Sequence, residues 1–132
     1  MGRLTHMLDT DVVIELLRGR DRALDARISS ADGLCMSAVT AAELAYGASR
    51  SARREDAELL VQQLVHAVPV EDFGAAAAGL AGEVRATLAR SGTPIGPYDT
   101  LIAGHALALG VTLVTRDHRE FDRVEGLSVE RW

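Results

Sequence analysis

The sequence contains no lysine and no asparagine, and among its 132 residues it has one cysteine, one tryptophan, two tyrosines and two phenylalanines. A single cysteine forms no internal disulfide, and Cys35 lies between apolar neighbours in a strand-like segment, so we expect a buried, reduced thiol. The apolar stretch of residues 101–114 is interrupted by His105 and is too short to span a bilayer, and the N-terminus lacks the long apolar segment of a signal peptide. These features predict no membrane association and, by default, a cytoplasmic location.

The charge balance limits the kinds of nucleic-acid partner that the protein can have. All 14 basic residues are arginine, and the formal net charge is -5. Such a chain does not coat nucleic acid through a broad basic face. A divalent cation held by carboxylates, however, brings its own positive charge and can contact a phosphate directly. The charge therefore excludes a general nucleic-acid coat protein and leaves a metal-dependent nuclease open.

The length and composition are typical of one globular domain. With 132 residues, 48% of them apolar and 25% charged, the chain is long enough to bury a core without disulfides or a structural metal. It contains no repeat and no low-complexity tail. We therefore expect residues 1–132 to form a single domain.

The periodicity of apolar residues alternates between strand and helix. Segments of helical character run over residues 11–18, 21–30, 39–44, 53–65, 73–89 and 98–109. Strand-like runs cover residues 4–9, 34–36, 68–70, 111–115 and 127–129. This alternation predicts an α/β fold with a mainly parallel sheet covered by helices on both faces.

Four acidic residues stand where a strand-like run or a glycine- and proline-rich loop gives way to a helical pattern: Asp9, Glu43, Asp99 and Asp117. In a parallel α/β sheet those junctions lie along one edge, so carboxylates that are distant in sequence can converge. Without a cation such a cluster would suffer mutual repulsion, which raises carboxyl pKa values. Mg²⁺ or Mn²⁺ is the natural compensation, because these ions prefer oxygen ligands.

Each acid also has a structural explanation when it is considered alone. Asp9 and Asp117 can cap the helices that follow them, and Asp99 lies in a first helical turn, where the helix dipole favours a negative charge. The segment from Thr40 to Glu43 matches a capping box. The four acids together are more informative than any one of them.

The position of Asp99 favours a site when the four acids are considered together. It heads an apolar, core-facing helical stripe formed by Ile102, Ala103 and Ala106. An acid that faces inward needs a partner, because burying an unpaired charge is costly. The stripe therefore favours a ligand-binding carboxylate over a surface charge.

Several motifs follow one another along the chain: residues 7–13, 37–44, 95–103 and 113–117, then Glu120-Phe121 and the ending 126–132. In these motifs and their order the chain resembles the PIN domain family and, within it, the VapC toxins of bacterial toxin–antitoxin pairs. The motifs cover essentially the whole chain. The resemblance implies a three-layer α/β/α sandwich around a central, mainly parallel sheet.

The resemblance also implies an activity and partners. It implies a Mg²⁺-dependent endoribonuclease, with Mn²⁺ as a substitute, that hydrolyses RNA phosphodiester bonds with metal-activated water. The expected partners are the RNA substrate, a cognate antitoxin protein that blocks the site, and a second copy of the chain in a homodimer. By the motif match, the metal-binding and catalytic residues are Asp9, Glu43, Asp99 and Asp117.

Three further residues carry over as supporting or substrate-contact residues. Thr115 is expected to supply a supporting hydroxyl, and Asp11 stands where many relatives have asparagine or serine. Relatives often have two asparagines where this chain has Arg116 and Asp117. Arg116 is therefore expected to contact a substrate phosphate.

Two alternatives remain at the level of sequence. The Asp9-Thr-Asp11 motif also resembles the first motif of haloacid-dehalogenase-like phosphatases, in which the first aspartate is the nucleophile. Those enzymes normally use a lysine to stabilise the phosphoryl group, and this chain has none. The second alternative is a non-catalytic PIN-like binding module, against which the complete acidic set speaks.

Overall fold

The computed structural model describes residues 2–132, within which five strands and seven helices alternate. Met1, the first residue of the predicted domain, lies outside the described residues. The strands are β1 (His6–Leu8), β2 (Leu34–Ser37), β3 (Val70–Glu71), β4 (Thr112–Val114) and β5 (Val129–Glu130). The helices are α1 (Thr10–Arg18), α2 (Arg22–Ser30), α3 (Ala38–Arg50), α4 (Arg54–Ala67), α5 (Ala75–Arg90), α6 (Pro97–Leu109) and α7 (His118–Phe121).

All pairings in the sheet are parallel, and the strand order is β3-β2-β1-β4-β5. In the central strand β1, Met7 pairs with Cys35 on one side and with Leu113 on the other. Consecutive side chains of a strand point to opposite faces. Met7 accordingly packs in a core cluster with α5 and α6, and Leu8 packs in a second cluster with α1, α2 and α4. The predicted sandwich, with helices on both faces of the sheet, is confirmed.

The strand predicted over residues 68–70 lies at the edge of the sheet and begins one residue after Pro69. Among residues 2–132, β3 pairs only with β2, and the carbonyl of Pro69 accepts the backbone N–H of Met36 at 2.9 Å. Proline has no N–H to donate, so it fits where only its carbonyl joins the ladder. The last strand is likewise displaced from the predicted 127–129 to 129–130.

The capping box predicted over residues 40–43 is wrong. α3 begins at Ala38, and the hydroxyl of Ser37 accepts the backbone N–H of Val39 at 3.0 Å. Because Ser37 already caps the helix, Thr40 lies inside the first turn, where it is fully buried. Glu43 is therefore free to engage groups outside its own helix.

Helices α5 and α6 pack closely through small residues. Gly104 of α6 makes the approach possible, because a Cβ at this position would lie 2.5 Å from the Cα of Ala81. Two glycines within α5, Gly79 and Gly82, instead face open space. The contact is thus between Gly104 and Ala81. It fixes the position of α6, the helix that carries Asp99, relative to α5.

Two expectations drawn from the composition concern Cys35 and membrane spans. Cys35 is a free, buried thiol, and burial raises its pKa to about 12, which leaves it protonated and unreactive. This confirms the expected reduced thiol. Among residues 2–132, no helix combines the length and the apolar character needed to cross a membrane.

Candidate metal centre

The predicted acidic residues lie at the carboxyl-terminal edge of the sheet. Asp9 directly follows β1, and Thr115 directly follows β4, the strand next to it. Asp99 lies in the first turn of α6, and Glu43 lies on α3, the helix that follows β2. The parallel order of the strands brings these four segments to the same edge.

Three carboxylates form the tightest group. One oxygen from each of Asp99, Asp117 and Glu120 lies within 4.8 Å of the others, and all three residues are partly buried. Two of them were predicted as site residues, and Glu120 was not. Its signal in the sequence is the spacing of three from Asp117, which places both carboxylates on one side of a helical turn.

The capping of α7 brings this pair together. Oδ1 of Asp117 accepts the backbone N–H of Glu120 at 3.4 Å, so Asp117 is the N-cap of the helix, as its position in the sequence suggested. Asp9 likewise caps α1, since its Oδ1 accepts the backbone N–H of Thr10 at 2.8 Å. Capping and membership of the acidic site are therefore compatible in both residues.

Asp9 is the most deeply buried of the acids, with 3% of its surface exposed. Its Oδ2 accepts the hydroxyl of Thr115 at 2.7 Å. Burial, and next the charge of Asp11, raise the pKa of Asp9 to about 7, although the bonds from Thr115 and Thr10 favour the ionised form. Asp9 is thus a carboxylate whose negative charge is poorly compensated by the protein itself.

Asp99 is in the same situation. Burial raises its pKa to about 8, with further contributions from a hydrogen bond with Glu120 and from the charges of Asp9, Glu120 and Asp117. The acids of the site therefore act on one another. Mutual repulsion of partly buried carboxylates is relieved by a hard divalent cation, which takes oxygen ligands. The donor set fits such an ion.

Thr115 connects two of the acids. Its hydroxyl donates to Asp9 and accepts the backbone N–H of Asp117 at 3.0 Å. Oδ2 of Asp11 accepts the backbone N–H of Arg116 at 3.1 Å, and its Oδ1 is buried without a partner among the described residues. Both residues thus hold the loop after β4 against β1 and α1.

The guanidinium of Arg116 is paired with Asp21, which is not one of the predicted site residues. Its Nη2 lies 2.7 Å from Oδ2 of Asp21, the N-cap of α2. This hydrogen bond is the main reason why the pKa of Asp21 is lowered. Arg116 as a phosphate contact stays a prediction, and in this arrangement it requires exchange of the Asp21 partner.

Glu43 is held beside the three-carboxylate group rather than within it. Its Oε1 accepts the hydroxyl of Thr10 at 2.8 Å, and that hydroxyl also lies 3.0 Å from the hydroxyl of Thr40. Sequence reasoning missed both threonines as site residues. The one indication in the sequence was that Thr10 directly follows Asp9.

The sequence is similar to a well-defined set of proteins. A family model described as PIN domain matches residues 6–127. A protein named tRNA(fMet)-specific endonuclease VapC from Shigella flexneri is 42% identical, over 98% of each chain. A protein of the same name from Salmonella typhimurium is 38% identical, again over 98% of each chain.

Solved structures show the same likeness in three dimensions. The crystal structure of DNA-bound VapBC from Salmonella typhimurium contains a chain that matches with a TM-score of 0.94 at 38% identity, covering 98% of each chain. VapBC2 from Rickettsia felis, bound to a promoter DNA fragment, matches with a TM-score of 0.91 at 29% identity, covering 98% of this chain and 99% of that one.

Proposed function

The chain belongs to the PIN domain family, and we propose on that premise that it is a divalent-metal-dependent endoribonuclease, the toxin of a toxin–antitoxin pair. The observation that carries the proposal is the convergence of oxygens from Asp99, Asp117 and Glu120 within 4.8 Å, beside the buried carboxylate of Asp9. Relatives named VapC endonuclease or ribonuclease, 42% and 35% identical over 98% of this chain, support the same activity.

Asp99, Asp117 and Glu120 would hold the cation together with Asp9. When bound, Mg²⁺ or Mn²⁺ supplies Lewis-acid chemistry, polarising the phosphate and lowering the pKa of water. Asp9 is fixed for this purpose by Thr115 and by the backbone of Thr10. The loop that carries Asp117 is fixed by Thr115 and Asp11.

Glu43 would act on the cation through water rather than as a direct ligand. Its Oε1 is occupied by the Thr10 hydroxyl, and no hydrogen bond from the described residues occupies Oε2. Oε2 would orient the water that attacks the scissile phosphorus. We expect the products to carry a 5′-phosphate and a 3′-hydroxyl.

The substrate and the partners follow from the relatives. Two similar proteins bear the name tRNA(fMet)-specific, so initiator tRNA is the first RNA to test. The solved VapBC structures contain a toxin with its antitoxin, and we propose an antitoxin partner for this chain too. We further propose that residues 1–132 act as one domain and that two copies form a homodimer.

The proposal is tested by cleavage of RNA. Purified protein is incubated with total RNA and with initiator tRNA transcript in Mg²⁺, and the cut ends are mapped. We expect discrete cuts that disappear in EDTA and in the Asp99→Asn variant, whose amide keeps the size of the side chain but loses the charge. Equal cutting in either control contradicts the metal-dependent site.

The two alternatives give different results in simple assays. A phosphatase of the haloacid-dehalogenase type would form an acyl-phosphate on Asp9 from a small phosphate donor. A non-catalytic module would leave RNA intact and would give no heat on titration with Mn²⁺. We expect no acyl-phosphate and metal-dependent cleavage.

A further inference from the structure

Thr10 contacts acidic residues on two different segments of the site. It is the first residue of α1 and is partly buried. Its backbone N–H donates to Oδ1 of Asp9 at 2.8 Å, and its hydroxyl donates to Oε1 of Glu43, also at 2.8 Å. Asp9 follows the central strand, whereas Glu43 lies on α3, so this one residue joins the two parts of the site.

The direction of the hydrogen bonds around Thr10 is fixed by the available protons. A threonine hydroxyl has one hydrogen, and an ionised carboxylate only accepts. The hydrogen of Thr10 is therefore committed to Glu43, and in the 3.0 Å contact between the two threonine hydroxyls Thr40 is the donor. The result is a directed chain from Thr40 through Thr10 to Glu43.

Glu43 depends on this chain for its orientation. The hydroxyl of Thr10 gives the Glu43 carboxylate the one hydrogen bond that it has among residues 2–132. The Glu43 side chain is partly exposed and has several rotatable bonds, so holding it in one rotamer costs conformational entropy. Without a hydrogen-bond partner to offset that cost, it turns toward solvent. Thr40, by contrast, is fully buried and cannot move with it.

We propose that Thr10 is the positioning residue of the metal centre, which through its hydroxyl holds Glu43 where it acts on the bound cation through water. This inference rests on the proposed function. Outer-shell hydrogen-bond partners in metal sites typically change metal affinity or activity by about 10–100-fold when they are removed. The same effect is expected here for the hydroxyl alone, because the backbone N–H that holds Asp9 survives substitution of the side chain.

Isothermal titration with MnCl₂ tests the inference without reference to catalysis. Thr10→Val replaces the hydroxyl with a methyl group of similar size, and Thr10→Ser restores it. We expect Thr10→Val to weaken Mn²⁺ binding about tenfold and Thr10→Ser to recover most of the affinity. Thr112→Val is the matched control, since Thr112 begins β4 at the opposite edge of the sheet, and we expect it to bind Mn²⁺ as the unsubstituted protein does.

A double-mutant cycle shows whether Thr10 acts through Glu43. If it does, Thr10→Val in a Glu43→Gln background should weaken Mn²⁺ binding by less than twofold, because residues that act as a unit are not additive. An undiminished tenfold loss in that background overturns the inference. So does equal Mn²⁺ affinity of Thr10→Val and the unsubstituted protein, an outcome that leaves the proposed function standing.

Failure of the proposed function has a different signature. If the unsubstituted protein itself binds no Mn²⁺, both the metal centre and the role of Thr10 are overturned. Far-ultraviolet circular dichroism establishes that each variant is folded. Should Thr10→Val not fold, Thr10→Ala carries the same test, because it also removes the hydroxyl that donates to Glu43 and keeps the backbone N–H that holds Asp9.

Discussion

The hydroxyl of Thr115 lies 2.7 Å from Oδ2 of Asp9, although 106 residues separate the two in the chain. Both residues directly follow paired parallel strands, β4 and β1, so the register of the sheet brings them together. Neither is accessible, with Thr115 fully buried and Asp9 3% exposed. The first acid of the candidate centre is thus fixed by the fold before any cation arrives.

Replacing Thr115 tests this fixation. Thr115→Val removes the bond to the Asp9 carboxylate and leaves the N–H of Asp117 without its acceptor. We expect the free energy of unfolding to fall by about 1–3 kcal/mol, the usual cost of losing a buried hydrogen bond to a charged group. Urea denaturation measures this loss, and Thr112→Val at the other end of β4 should stay within about 0.5 kcal/mol. Equal stability of both variants would contradict the structural role of Thr115.

The carboxyl groups of Asp9 and Asp99 should make the metal-free protein less stable as the pH rises. The pKa of Asp9 is raised to about 7 and that of Asp99 to about 8. The folded state therefore holds the protons of these two carboxyl groups more tightly than the unfolded chain, in which aspartates have a pKa of about 4. The stabilisation is full below that pH and is lost as the pH rises through 7 and 8.

Thermal unfolding in EDTA between pH 6 and 9 measures this effect. We expect the midpoint to fall with rising pH by about 4 °C for each 1 kcal/mol lost. Asp99→Asn should flatten the slope because its amide does not titrate, whereas Asp32→Asn, located before β2 at the opposite edge, should keep it. A midpoint that rises across this range would be evidence against the repulsive cluster.

Gly104 should be intolerant of even one added carbon. A Cβ at this position would lie 2.5 Å from the backbone of Ala81, so Gly104→Ala must push α6 away from α5. We expect a loss of about 1–3 kcal/mol in the free energy of unfolding. Gly79→Ala is the opposite case, because Gly79 lies within α5 and faces open space. It should stabilise the protein by about 0.5–1 kcal/mol in the same denaturant assay.

His105 should impose a second, opposite dependence on pH. Its Nδ1 lies 2.7 Å from the hydroxyl of Ser37, and both residues are essentially buried. Burial lowers the pKa of His105, although the backbone of Asp72 and the charge of Glu71 oppose the shift. At pH values below the ordinary histidine pKa of about 6.5, the unfolded chain takes up a proton that the folded protein resists. The free energy of unfolding therefore decreases as the pH falls.

His105→Phe isolates this contribution. The ring keeps its approximate volume but loses the bond to Ser37, which should cost about 1–3 kcal/mol at pH 7.5. The variant should then lose less stability between pH 7 and 5 than the unsubstituted protein. Urea denaturation at three pH values provides the comparison. A parallel loss in both proteins would show that His105 titrates as freely as an exposed histidine.

Local patterns were sufficient for the alternation of strands and helices and for the edge at which the acids gather. They were insufficient where two local choices competed. Serine and threonine are both favoured N-cap residues. Ser37 rather than Thr40 caps α3 because β2 extends to Ser37, which pairs with Glu71 of β3. That pairing depends on a strand more than thirty residues away.

The same limit explains the residues that were missed or differently engaged. Glu120 reaches Asp99 because Phe121, fully buried, fixes the orientation of the short helix α7. Arg116 is engaged by Asp21, from a part of the chain 95 residues away. Neither relationship has a periodicity that a sequence pattern could reveal.

The position of a bound cation is the most direct test of the metal centre. Crystals of the protein grown with MnCl₂ and measured at the manganese absorption edge locate the ion by its anomalous scattering. We predict one peak within about 2.1 Å of carboxylate oxygens of Asp99, Asp117 and Glu120, a distance typical of such ions. A fully soaked crystal with no manganese at these carboxylates, or with manganese only elsewhere, would contradict the account.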